Sequence, residues 1–213
     1  MKKAILVFFI AVTLLSACNQ GNKQTQKDTS PDTSTQVTPH TPEEVQSISE
    51  VITRFVRGYA SRDNEKVNQL IHPDLGLTII YRPGASDNFT KVDSIDFDHP
   101  VPEYYAYPTL ENEYALTFDK LPEFSCDTEK WYKQGFICDT TAHPQQLTQI
   151  AAFANEFNEG EYDKDTLEKI KQNENASFRV IVTNKNPLIF HVQRYDGKWY
   201  VTVLDRAYAG CDA

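Results

Sequence analysis

The chain has 213 residues, 40% of them hydrophobic, with 21 basic against 30 acidic side chains and a sequence pI near 5.0. A balance of −9 argues against a basic nucleic-acid-binding face and against electrostatic docking on anionic lipid heads. Beyond a polar N-terminal stretch, about 170 residues remain, a length that suits one domain.

Met1-Lys2-Lys3 forms a positive start, Ala4 to Leu15 an apolar run, and Ser16-Ala17-Cys18 a small-residue cut site, which together have the layout of a secretory signal. The run is shorter than the ~20 apolar residues a spanning helix needs. Leu15-Ser16-Ala17-Cys18 resembles the lipobox of bacterial lipoproteins. That resemblance implies lipid transfer to the Cys18 thiol, removal of a signal peptide over 1–17, and anchoring in the cell envelope. Asn19, rather than Asp, after the cysteine implies the outer membrane in a host with two membranes, and the outer face of the plasma membrane in a host with one. An ordinary secretory signal with a chance cysteine is the competing reading. Cleavage would remove Lys2 and Lys3, leaving 19 basic residues against 30 acidic, a net charge of −11. Residues 19–42 contain a single aliphatic side chain, Val37, too little to offset the entropy of ordering. The stretch 18–41 therefore reads as a disordered, lipid-anchored tether that holds the domain about 25–30 Å from the bilayer.

The domain is expected over 42–213. Thr41-Pro42-Glu43-Glu44 has capping-box form with Pro at the first helical position. Val45, Ile48, Val51, Ile52, Phe55, Val56 and Tyr59 follow in steps of three and four, which predicts an amphipathic helix over 42–60. Asp63 can cap a second, short helix carrying Val67, Leu70 and Ile71, ended by Pro73 and Gly76. Leu77 to Tyr81, rich in β-branched residues, predicts a strand. Residues of about 84–143 read as an irregular, tyrosine-rich insertion, with short strands near 114–118 and on either side of Trp131–Gly135. Pro144 opens a helix with Leu147, Ile150, Ala151, Ala154 and Phe157 on one face, ending at Gly160. Asp165-Thr166-Leu167-Glu168 has capping-box form before a helix to about Asn173. Ser177–Thr183, Leu188–Tyr195 and Lys198–Leu204 alternate as strands, and Asp196-Gly197 is a two-residue hairpin signal. Counting from that turn pairs Arg194 with Trp199, Val192 with Val201 and Phe190 with Val203 on an apolar face. His191 with Thr202 and Gln193 with Tyr200 fall on a more polar face, expected to lack helices.

This order of elements resembles the NTF2-like (SnoaL-like) cone fold over 42–82 and 144–206. The resemblance implies an α+β domain whose helices pack on a bent antiparallel sheet ending in the three-strand meander, with a pocket between helices and sheet. The segment Gly197-Lys198-Trp199-Tyr200-Val201-Thr202-Val203-Leu204-Asp205 also resembles a strand in uncharacterised envelope lipoproteins.

Cys126 and Cys138 flank what reads as two extended runs around a Gly-containing turn. A Cys126–Cys138 disulfide is therefore expected in an oxidising compartment; pairings with Cys211, or buried free thiols, are the alternatives. The chain has no Gly-rich phosphate loop, His-Glu-x-x-His, Gly-x-Ser-x-Gly or Cys-x-x-Cys. No cofactor or metal is expected, and Asp93, Asp96, Asp98 and His99 read as a solvated acidic loop rather than a cation site. His72 is a pocket candidate because NTF2-like enzymes use His and Asp there for acid–base work. His143 reads as an N-cap and His191 as a surface or dimer-contact residue. Arg194 and Trp199 are pocket candidates: a charge on an apolar face needs a carboxylate or an anionic ligand as partner. The expected function is a non-catalytic envelope module binding a small ligand or a protein through its tyrosines. The alternative is a SnoaL-like lyase, isomerase or hydrolase with a pocket His/Asp pair.

Overall fold

The computed structural model describes residues 41–157 and 161–207. The signal segment, Cys18, nearly all of the tether, Gly160 and Cys211 lie outside the described residues. Thr41 caps helix α1 (Pro42–Ala60): its hydroxyl accepts from the Glu44 N–H at 3.1 Å, and Glu44 accepts from the Thr41 N–H at 3.3 Å. Ile48, Ile52, Phe55, Val56 and Tyr59 form its buried stripe. Asp63 caps the short helix α2 (Asn64–Asn68). Gly76 then turns the chain at φ +63°, where a Cβ would lie 2.9 Å from the Val92 carbonyl, so only glycine fits without strain. Strand β1 (Leu77–Tyr81) follows at the expected bounds.

The stretch expected to be irregular holds five strands, β2 (Asn88–Val92), β3 (Leu116–Phe118), β4 (Phe124–Ser125), β5 (Lys130–Trp131) and β6 (Phe136–Asp139), of which β3 and β6 fall where short strands are expected. Each has five residues or fewer, too short to imprint a period. Ile95, Phe97, Tyr107 and Leu110 from the same stretch are buried core residues. Helices α3 (Gln146–Phe157) and α4 (Lys164–Asn175) lead to β7 (Ser177–Val182), β8 (Leu188–Tyr195) and β9 (Lys198–Asp205). The N-cap of α4 is Asp163, two residues before the expected Asp165.

The domain is α+β, but its sheet is mixed and open. Seven strands run in the order β2-β1-β9-β8-β7-β6-β3, with β1 parallel to β9 and β3 parallel to β6. The β8–β9 turn is of type I′, Asp196 and Gly197 both having positive φ (47° and 75°). Arg194 pairs with Trp199 and Val192 with Val201 as expected. A bulge between His191 and Val192 then shifts the register, so His191 faces Val203 and Phe190 faces Leu204. The expected Phe190–Val203 and His191–Thr202 pairs do not form. The bulge puts Leu204 into the larger core and turns Val203 to the opposite face.

Both faces of the sheet carry helices. Ile79 packs into the cluster with α1, while the adjacent Ile80 joins Leu147, Ile150, Val203 and Ala207 beneath α3. The expectation of one helix-free polar face is therefore corrected. The space between α1 and the sheet is filled by the protein's own aromatic rings: Phe55 lies 4.7 Å from Phe190 and Phe178 5.7 Å from Trp199, between ring centroids. Tyr59, Phe97 and Tyr107 extend that packing.

The Cys126–Cys138 bridge is also corrected. Cys138 is a free thiol in β6, 0% exposed, with β3 on one side and β7 on the other. Cys126 sits in the exposed turn between β4 and β5. The small hairpin closes by pairing Phe124 with Trp131 and Ser125 with Lys130, so Cys138 belongs to the main sheet instead.

Candidate functional site

The polar chemistry of the domain concentrates on the sheet face beneath α3 and α4. Arg179 of β7 pairs with Asp205 of β9 at 2.8 Å, and Gln146 at the start of α3 donates to the same carboxylate at 2.9 Å. Glu174 reaches from the end of α4 to the start of α3. Its oxygens accept from the Leu147 N–H at 2.7 Å, the Thr148 N–H at 3.0 Å and the Thr148 hydroxyl at 2.6 Å. These are N–H groups that a helix start leaves without intrahelical partners, and the positive end of the helix dipole favours a carboxylate there. Gln193 donates to the Asn173 side chain at 3.2 Å, and the Ser177 hydroxyl donates to the Asn173 carbonyl at 2.6 Å.

His191 lies among these groups, opposite Arg179 across the β7–β8 ladder and 0% exposed. Neither ring nitrogen has a hydrogen-bond partner in the protein, and the Thr202 hydroxyl at the bulge also has none. The Gln146 carbonyl oxygen and Arg179 Nε are likewise unpaired. Thus five of the six buried side-chain polar atoms without a partner among the described residues belong to this face; the sixth is Arg206 Nε. A buried polar group left unpaired costs about 1–3 kcal/mol, so this cluster is primed for molecules that can satisfy it.

Two spaces open onto the face. A cleft of about 500 Å³ is lined by Asp139, His143, Gln145, Gln146, Gln149 and Arg179 among others. A smaller chamber of about 90 Å³ lies between α4 and the strands, with Glu174, Ser177, His191, Gln193 and Thr202 on its polar side. Leu75, Phe89, Leu147, Ile170 and Val203 supply its apolar side. Burial, and then the Arg179 charge, push the His191 pKa well below the ordinary imidazole value. The ring is therefore neutral, with one nitrogen able to donate and the other able to accept. Burial raises the Glu174 pKa, opposed by the Thr148 hydroxyl and the two helix-start N–H groups.

The residues singled out in the sequence lie elsewhere. His72 closes a turn: its Nδ1 accepts from the Asp74 N–H at 3.1 Å, and its ring rests edge-on against Tyr195 and Tyr200, each at 4.9 Å. Arg194 finds its partner within the chain, Glu44 at 2.7 Å, which ties the start of α1 to β8. Trp199 is 4% exposed and packed on Phe178. His143 is not a cap: its Nδ1 is 2.9 Å from the Ser177 carbonyl and its ring stacks on Phe178 at 5.3 Å. Asp96 holds His99 at 2.8 Å and accepts from Asn64 and the Asp98 N–H. Among the described residues no group of three or more His, Cys, Asp or Glu side chains could hold a metal ion.

His191 is buried rather than at the surface: alternation with apolar neighbours implies an exposed face only where no helix covers it, and α3 and α4 cover this one. A usable signal was present: Leu147, Ile150 and Ala151 need a sheet face to bury against, and the stripe of α1 already occupies the other. The chain matches no protein-family model, no curated protein and no solved structure.

Proposed function

We propose that the chain is an exported lipoprotein, tethered to the cell envelope through lipid on Cys18. Its domain would be a non-catalytic module that receives a small ligand on the α3/α4 face of the sheet. The observation that carries the ligand reading is the gathering of five unpaired buried polar atoms around two openings on that one face. Filling of the α1 side by aromatic rings argues against a ligand there. The NTF2-like assignment belongs to this proposal. Its support is the opening order of helix, helix and strand and the closing antiparallel meander packed against α1. The open mixed sheet and the helices on its second face depart from a simple cone.

The enzyme alternative needs a histidine oriented by a carboxylate inside a pocket. His72 and Asp74 approach only to 4.0 Å, in a turn where the Asp74 side chain is 78% exposed. Glu174 shares the chamber with His191, yet its oxygens are engaged by the start of α3. A protein-partner reading rests on Tyr104 and Tyr132, exposed at 69% and 76%. Among the described residues no helix is long and apolar enough to cross a membrane.

Cys18→Ser should move the protein from the membrane fraction to the soluble one, and globomycin should block its processing. Retention of the variant on membranes would sink the anchor. For the ligand, native mass spectrometry of protein extracted from its host should show a bound small molecule. Gln149→Trp, at an exposed cleft position of α3, should reduce its occupancy. A protein always free of added mass would favour the protein-partner reading.

A further inference from the structure

The chamber under α4 is more selective than the cleft beside it. Its unpaired groups are an imidazole that is neutral and fully buried, and a hydroxyl. Both can donate and accept. The charged groups nearby are already committed: Glu174 caps α3, and Arg179 is bound to Asp205. An anion entering the chamber would meet the Glu174 carboxylate, and a cation would have to compete with the three donors already bound to its oxygens. Burying either without a partner is costly. The remaining wall is apolar, formed by Leu75, Phe89, Leu147, Ile170 and Val203. A volume of about 90 Å³ holds roughly three waters or an organic molecule of about four heavy atoms.

We propose that this chamber is a binding site for a small uncharged molecule of amide or urea type, seated between the His191 ring and the Thr202 hydroxyl with its alkyl side against Val203 and Phe89. The proposal deepens the reading of this face as ligand-binding and rests on it. An amide N–H₂ would donate to the accepting imidazole nitrogen or to the Thr202 oxygen, and its carbonyl would accept from the other group. The bulge at His191/Val192 is what brings the Thr202 hydroxyl into this space while Val201 and Leu204 stay in the core on the far side. Gln193 and Asn173, bonded to each other at 3.2 Å, line the chamber where β8 meets α4.

The test is a titration of the full mature chain with acetamide, followed through the imidazole ¹⁵N signals. A ligand this small binds in the millimolar range. The His191 nitrogens should shift saturably at roughly 1–100 mM, while those of His72, His99 and His143 stay in place. Acetate should neither shift them nor compete. Thr202→Val should weaken acetamide by about tenfold, and Thr202→Ser, which keeps the hydroxyl, should bind nearly as the wild type does; this pair separates lost binding from lost folding. A His191 signal unmoved at the highest concentration, equal binding of acetate, or undiminished binding by Thr202→Val would overturn the proposal. If acetamide fails while a natural small molecule still accompanies the protein and is displaced by Gln149→Trp, the chamber assignment falls and the wider ligand-binding reading survives. If acetamide saturates His191 while the protein extracted from its host carries no ligand, the chamber stands and the cleft beside it loses its support.

Discussion

Neutral His191 couples the fold to pH. Its folded pKa lies below the ordinary value of 6.5 because burial and Arg179 disfavour the imidazolium. In the unfolded chain the same ring takes up a proton as pH falls through about 6.5, so the unfolded state binds more protons there and stability drops. The slope approaches about 1.4 kcal/mol per pH unit once the unfolded ring is fully protonated. Two other groups act with the opposite sign. His99 has its pKa raised by Asp96, so its contribution is present at low pH and lost as pH rises through the folded value. Glu174 behaves likewise around the carboxylate range. Urea unfolding of wild type and His191→Gln at pH 7.5, 6.5 and 5.5 isolates the first effect. The wild type should lose stability across that range more steeply than the variant. Parallel curves would mean that His191 takes up its proton equally in both states. Arg194 shows the contrasting case: a charge whose carboxylate partner lies far away in sequence is legible as a need, but its satisfaction by Glu44 at 2.7 Å is visible only in three dimensions.

At the level of elements, Glu174 joins two helices that bury little on their own. In α4 the only buried residue is Glu174 itself, and α3 buries Leu147, Ile150 and Ala151. Glu174→Ala should cost about 2–3 kcal/mol by leaving the first-turn N–H groups of α3 unpaired. Amide exchange at Leu147 and Thr148 should accelerate more than exchange in α1; a uniform change across both helices would contradict the local role. The elements with strong local chemistry were readable in advance: the Thr41–Glu44 capping box, the α1 stripe, β1 behind Gly76, and the Asp196-Gly197 hairpin. Those decided by distant partners were not. β2 is a strand because β1 offers it an edge, and although a short strand after Gly135 is expected, its place between β7 and β3 is not. The bulge at Thr202 leaves no mark in an alternating sequence, and it is what brings the hydroxyl beside His191. The candidate site is hidden for the same reason: its residues come from α3, α4, β7, β8 and β9, and each is unremarkable alone.

Over the whole molecule, the sheet divides two unequal cores. Among the described residues the cluster under α1 gathers 25 buried side chains, whereas the cluster under α3 and α4 has five, Ile80, Leu147, Ile150, Val203 and Ala207. Each buried aliphatic or aromatic side chain contributes about 1.5–3 kcal/mol, so the second layer has much less holding it to the sheet. Its remaining contacts are hydrogen bonds around polar groups, several of them unpaired, and such regions open below the global unfolding free energy. The α3/α4 layer should therefore detach as a unit while α1 and the β7–β9 meander stay folded. That opening would also widen access to the chamber, which α4 and the strands line. Native-state hydrogen exchange in increasing urea provides the check. Amides of α3 and α4 should merge into one exchange isotherm lying below that of Ile52, Phe55, Phe190 and Val201. Cys138, buried in β6 on the α1 side with its thiol pKa pushed up by burial, serves as an internal reporter. It should resist thiol reagents through the partial opening and react only with global unfolding. Labelling of Cys138 in step with α3 exchange would show that the two layers unfold together.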